Sequence, residues 1–175
     1  MELLLVRHAI AFEHNARRWP DDGERPLSPR GVLRARNAAA GLKRIDLRPA
    51  QVLASPLLRT QQTAAILTQF AGWPKATACP QLLPGGSPQE LLALLARAHQ
   101  PRAQKPRVHE WRVAVIGHQP DLGRLLAACL PGNVGNAAFE FRKMGVALIA
   151  FHGAPRAGHG ELRWLVPPRL LRAMR

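Results

Sequence analysis

Three serine-proline pairs, Ser28-Pro29, Ser55-Pro56 and Ser87-Pro88, each stand at the head of a stretch whose apolar residues recur at helical spacing. A serine hydroxyl accepts a hydrogen bond from the free N–H groups of a first helical turn, and proline at the first helical position sacrifices no backbone bond. The pairs therefore mark three helix starts. After the first come Val32, Ala35, Ala38, Ala39, Leu42 and Ile45; the second opens a helix over 57–70, and the third one that reaches Ala98. Short apolar runs are interleaved with them. ELLLVR at Glu2–Arg7, QVLA at Gln51–Ala54 and a run over 111–116 read as buried strands.

Further on, Pro120 starts a helix that Pro131-Gly132 stops. Val146–Phe151 and 161–166 read as two strands around a Gly/Pro/Arg turn, and a short helix follows Pro167-Pro168. The polar, Gly- and Pro-punctuated stretches 9–26 and 99–110 read as loops, the second a solvated connection with a basic surface. Strands alternating with helices define an α/β fold: a three-layer sandwich with a mostly parallel central sheet and helices on both faces.

At 175 residues, 47% hydrophobic and 21% charged, the chain suffices for one domain over 1–175 with its own core. Cys79 and Cys129 stand in no metal-ligand or redox spacing, so a reduced, cytoplasmic compartment is expected. The longest apolar runs fall far short of the roughly 20 residues a membrane helix needs. Glu2, Arg7 and His8 interrupt the opening segment, which reads as folded protein and not as a signal peptide.

The formal charge of +14 favours acidic partners. It divides as +6 over 1–88 and +8 over 89–175, with no basic tail, and no nucleic-acid-reading motif accompanies it. No specific nucleic-acid partner and no membrane is expected, and a monomer is the default.

In open α/β sheets ligands bind beyond the carboxyl ends of the strands. Arg7 and His8 follow the first strand, Arg59 falls in the first turns of the helix after the second, and Gly117-His118 follow the third. Taken singly, each has an ordinary explanation, a hydrogen-bonded histidine or a solvated arginine. Together they offer two guanidinium forks and two imidazoles, a set suited to phosphoryl oxygens, with the Pro56 helix adding its positive end. A neutral imidazole is also a nucleophile, the role that suits His8. Adjacent strand residues point to opposite faces, so Arg7 and His8 share a pocket only if the strand breaks there.

These residues resemble the histidine phosphatase superfamily, whose fold is shared with cofactor-dependent phosphoglycerate mutase. VRHA is similar to its Arg-His-Gly signature, SPLLRTQQTA to its Ser-x-x-x-Arg-x-x-Gln-Thr helix start, and VIGHQP to the strand that delivers its second histidine. RPLSPRG and LLPGGSPQELL look like the small bacterial phosphohistidine phosphatase branch, the SixA-like proteins. The resemblance implies that His8 becomes transiently phosphorylated, that Arg7 and Arg59 hold the phosphoryl oxygens, and that His118 binds the same group and stabilises developing charge. It implies no metal or other cofactor, and the convergent donors would stabilise charge by preorganisation.

Two departures from the superfamily pattern stand out. Ala9 replaces the usual glycine, giving up freedom to take positive φ. Larger members use Glu or Asp as a general acid, and the corresponding stretch 82–87 holds neither. Glu90 is the nearest candidate, although the helix dipole already explains a Glu in a first turn. Asp21, Asp22 or Glu24 would serve if their loop folds over the pocket. An ester needs its leaving oxygen protonated, whereas the imidazole of phosphohistidine takes a proton from water and departs neutral, so a site without an acid favours P–N cleavage.

The leading expectation is a phosphatase acting on phosphohistidine of a protein through phospho-His8. The alternatives are a phosphatase for small phosphate monoesters, with Glu90 or the Asp21-Asp22 loop as acid, and a non-catalytic basic module binding phosphorylated or nucleic-acid partners.

Overall fold

Leu3, Leu4, Leu5 and Val6 are all fully buried, so β1 (Glu2–Arg7) must lie between two apolar layers. Each such side chain contributes about 1.5–3 kcal/mol on leaving water. The computed structural model, which describes residues 1–99, 112–132 and 139–175, places β1 in the middle of a six-stranded sheet. On one side it pairs in parallel with β4 (Arg112–Gly117), then come β2 (Gln51–Ala54) and a two-residue edge strand β3 (Thr77–Ala78), also parallel. On the other side stand β5 (Val146–Phe151) and β6 (Gly160–Val166), both antiparallel to their neighbours.

The strand period of two sorts the core. Leu4 and Val6 pack with α1 (Pro29–Arg44), α2 (Leu58–Ala71) and α5 (Pro168–Ala173). Leu3 and Leu5 pack with α3 (Pro88–Ala98) and α4 (Asp121–Cys129) on the opposite face. The three-layer α/β sandwich expected from the sequence is present. Ser28 and Ser87 cap α1 and α3, accepting from the N–H groups of Gly31 and Glu90.

The middle pair behaves differently. α2 starts at Leu58 behind an uncapped Leu57, so neither is Ser55 its cap nor Pro56 its first residue. Strand β3, two exposed residues long, carries no apolar signal and was not anticipated. Trp111 and the basic stretch 100–110 lie outside the described residues.

Register levels the functional ends. Arg7 stands opposite Gly117 and Ala54 opposite Ile116, so the residues that follow, His8, Ser55 and His118, emerge at one edge. The His8 N–H donates to Gly117 C=O at 3.1 Å and the Ser55 N–H to Ile116 C=O at 3.0 Å.

Candidate active site

Beyond this edge lies a pocket of about 330 Å³ whose wall includes Arg7, His8, Arg59 and His118, so the structure brings all four sequence-predicted residues together. The β1 strand ends at Arg7, the break that lets two successive residues serve one pocket. His8 and His118 are 6% and 5% exposed, and their ring centroids lie 5.2 Å apart at a 54° tilt.

Local bonds fix each group. His8 Nδ1 lies 2.7 Å from Ala9 C=O; a carbonyl only accepts, so Nδ1 carries the proton and Nε2 keeps its lone pair. The Ala9 N–H donates to the Thr63 hydroxyl, which donates in turn to Arg59 C=O. The Arg-x-x-x-Thr spacing thus ties the segment that follows β1 to the first turns of α2. Gln61 Nε2 donates to Ser55 C=O, and Gln62 Oε1 accepts from the Leu27 N–H, so the flanking glutamines hold the loops. Ala9 is not among the residues with positive φ, and the backbone freedom of glycine is not needed there.

His118 Nε2 lies 2.9 Å from Ser55 Oγ, a buried hydroxyl that can donate or accept and so permits either tautomer. This partner was missed from sequence, where Ser-Pro signalled a cap. Arg7 donates through Nη1 to Phe141 C=O, and Arg59 through Nη1 to Asp22 C=O at 2.8 Å. The Nε groups of Arg7 and Arg59 are buried without a hydrogen-bond partner among the described residues.

Three further cations line the pocket: Arg25, Arg124 and Lys143. Arg25 falls inside RPLSPRG, a segment the sequence singled out without assigning it a contact. Arg124 and Lys143 carried no signal. Asp121 is the one carboxylate on the wall among the described residues, and it accepts from the Gly85 N–H and pairs with Arg124 at 3.3 Å.

The acids proposed from the sequence, Glu90, Asp21, Asp22 and Glu24, do not stand on the pocket wall itself. Glu90 is exposed on the first turn of α3 and does not line the pocket. Asp21 caps the short 3-10 turn Asp22–Glu24, and Glu24 is exposed. Asp22 does approach, as a counter-ion: its carboxylate lies 2.7 Å from Arg25 Nε and 3.2 Å from Arg59 Nη1. The Arg25 hydrogen bond leads in holding it far below the usual carboxylate range, so it is ionised and poorly suited to giving a proton.

Burial, opposed by the Ala9 carbonyl and aided by His118, Arg59 and Lys143, lowers His8 from 6.5 to about 3. Burial followed by the Arg59 and Arg7 charges lowers His118 to about 4. Burial with the same arginines also lowers Lys143. Both imidazoles are therefore neutral at pH 7. Among the described residues no cluster of His, Cys, Asp and Glu is arranged to hold a metal ion, and no helix is long and apolar enough to cross a membrane.

A fold whose parallel strand ends present two imidazoles and a ring of cations defines a phosphatase-type site. The chain belongs to the histidine phosphatase superfamily: the model of its branch 1 matches residues 3–83. A likeness over nearly the whole chain runs to the SixA-like proteins. The phosphohistidine phosphatase SixA of Escherichia coli K12 is 27% identical over 169 residues, 96% of this chain and 94% of that one. The solved structure of the protein histidine phosphatase SixA complexed with tungstate aligns with a TM-score of 0.81 at 27% identity, covering 98% and 99% of the two chains. An uncharacterized protein of Picosynechococcus sp. PCC 7002 is 33% identical over 173 residues, 98% of this chain and 99% of its own length. The enzyme is accordingly a hydrolase of the phosphatase class.

Proposed function

We propose that the enzyme hydrolyses phosphohistidine on a protein, with His8 as nucleophile, Arg7 and Arg59 as phosphoryl ligands and His118 as stabiliser of developing charge. The observation that carries this reading is one pocket walled by the Arg7 and Arg59 guanidiniums and by two imidazoles held neutral, His8 and His118. His8 Nε2 attacks phosphorus as the P–N bond to the substrate imidazole breaks, and that ring leaves neutral after its other nitrogen takes a proton from water. Water then attacks phospho-His8, releasing inorganic phosphate and restoring the neutral ring. The contacts of Asp22 with Arg25 and Arg59, and of Asp121 with Arg124 and the Gly85 N–H, support P–N over P–O cleavage, because each carboxylate is already engaged by protein donors. The description of the E. coli relative as a phosphohistidine phosphatase agrees with it. On this reading the chain works as a single domain over 1–175, a monomer in the cytoplasm that needs no cofactor.

Incubation with a protein labelled on phosphohistidine should leave an acid-labile label on His8. His8→Ala should lose the label and on the order of 10³-fold or more in turnover while keeping its fold by circular dichroism. Unchanged turnover would reject the assignment.

The position of Asp121 on the pocket wall favours one second reading, a monoesterase with Asp121 as general acid. Asp121→Asn separates the two. Under the leading reading its rate on phosphohistidine protein changes less than about threefold; a selective loss of on the order of 10²-fold on a phosphate monoester, in an enzyme faster on that monoester, would install the second.

A further inference from the structure

A second concavity, of about 630 Å³, adjoins the catalytic pocket and shares Lys143 with it. Its floor is apolar, made by Ile10, Met144, Pro167 and Pro168. Its rim holds Arg34, Arg142, Arg169, Arg172 and Lys143, with no carboxylate on it among the described residues. The only ion pair any of these makes among the described residues is that of Arg142 with Glu140 at 3.7 Å, both largely exposed. Burial, aided by the Arg34 charge, lowers Arg172, and both residues line this groove.

The local build is not incidental. Gly31, in the first turn of α1, touches the floor where a Cβ would stand 1.9 Å from Ile10 C=O, so only glycine allows α1 to sit so near the segment after His8. Met144 adopts φ of 65° while its N–H donates to Arg7 C=O, which locks one wall to the end of β1. The groove is therefore rigidly joined to the nucleophile strand.

We infer that this groove docks an acidic segment of the phosphorylated protein, its carboxylates meeting the Arg34, Arg169 and Arg172 cluster and its apolar side chains the Ile10–Met144 floor. The inference rests on the phosphoprotein reading of the catalytic pocket. Charge complementarity selects the occupant: among the described residues the charged groups of the rim are all cationic, the floor is apolar, and no aromatic ring lines it to stack a nucleobase. Continuity through Lys143 selects the arrangement, since a protein can fill both concavities at once, whereas a small phosphate ester fills only the first.

The test has two arms. In the first, kcat and KM are measured for Arg34→Gln/Arg169→Gln/Arg172→Gln and for wild type on an acidic phosphohistidine protein and on free phosphohistidine. KM for the protein should rise roughly tenfold or more, with free phosphohistidine turnover within about twofold of wild type. An unchanged protein KM, or an equal loss on both substrates, would overturn the groove's role. The second arm needs no catalysis: a fluorescent, unphosphorylated peptide of interspersed Glu and Leu is titrated into His8→Ala protein at two salt concentrations. Salt-sensitive binding abolished by the triple substitution supports docking. Absence of binding, binding that survives the substitution, or stronger capture by vesicles of anionic phospholipid than by the peptide refutes it. If wild type leaves the phosphohistidine protein intact while the peptide still binds, the catalytic reading fails and the groove stands.

Discussion

Acidifying the unliganded protein from pH 7 to pH 5 should cost it about 4 kcal/mol through His8 and His118 alone. Both rings sit buried and neutral, at about 3 and about 4 against an ordinary value of 6.5. Between those values the unfolded chain binds protons that the folded chain refuses. The stability they contribute is thus complete above 6.5 and drains away as pH falls toward 4 and then 3. At pH 5 each ring lies about 1.5 pH units below the unfolded value, which at 1.36 kcal/mol per unit is about 2 kcal/mol apiece. Asp22 adds little in this window, because its ordinary value of 3.8 leaves it ionised at pH 5 in either state. Against a typical stability of about 5–15 kcal/mol the loss is large. Urea unfolding at both pH values, in phosphate-free buffer, compares wild type with His8→Gln/His118→Gln. The double variant should lose about 4 kcal/mol less than wild type between the two pH values. An equal loss in the two proteins would show that the rings are not held neutral by burial.

Two further substitutions probe the supporting structure. Ser55→Ala strips His118 Nε2 of its buried partner and should lower stability by about 1–3 kcal/mol in urea unfolding, with kcat falling more than KM rises; unaltered stability and kcat would mean that the hydroxyl positions nothing. Gly41→Ala puts a Cβ 1.9 Å from Leu171 C=O where α5 crosses α1, so a Tm lower by several degrees should override the roughly 1 kcal/mol gain in helix propensity; a raised Tm would contradict the close approach.

What the sequence revealed, and what it hid, follows from how locally each feature is encoded. The β1 strand announces itself because both its faces are buried and its whole run is apolar. Arg7, His8, Arg59 and His118 were readable because each ends a strand, directly follows one or opens the next helix, where topology alone delivers it to the pocket. Arg25, Arg124 and Lys143 reach the same wall from a loop, the middle of a helix's first turns and a turn before β5, and nothing local marks those approaches. Ser55 shows the limit most sharply. Its dipeptide is identical to the two that cap α1 and α3, yet its hydroxyl meets a ring 63 positions later in the chain. Glu90 was drawn in by proximity in sequence to the expected acid, while α3 turns it out to solvent.

The pocket's cation excess and its depressed imidazoles are two faces of one electrostatic condition. Setting aside the mutually paired Arg124 and Asp121, four cations remain on the wall, Arg7, Arg25, Arg59 and Lys143, and Asp22 offsets one of them. In that field a proton on either ring is repelled as well as desolvated, which keeps His8 neutral at pH 7. A phosphoryl group brings roughly −1.5 to −2 charges to the same place. On the proposed reading its arrival offsets most of that excess at the rings, so that His118 gains affinity for a proton once substrate is bound. The charge excess of the pocket would then be what lets His8 attack while His118 becomes able to stabilise the departing charge.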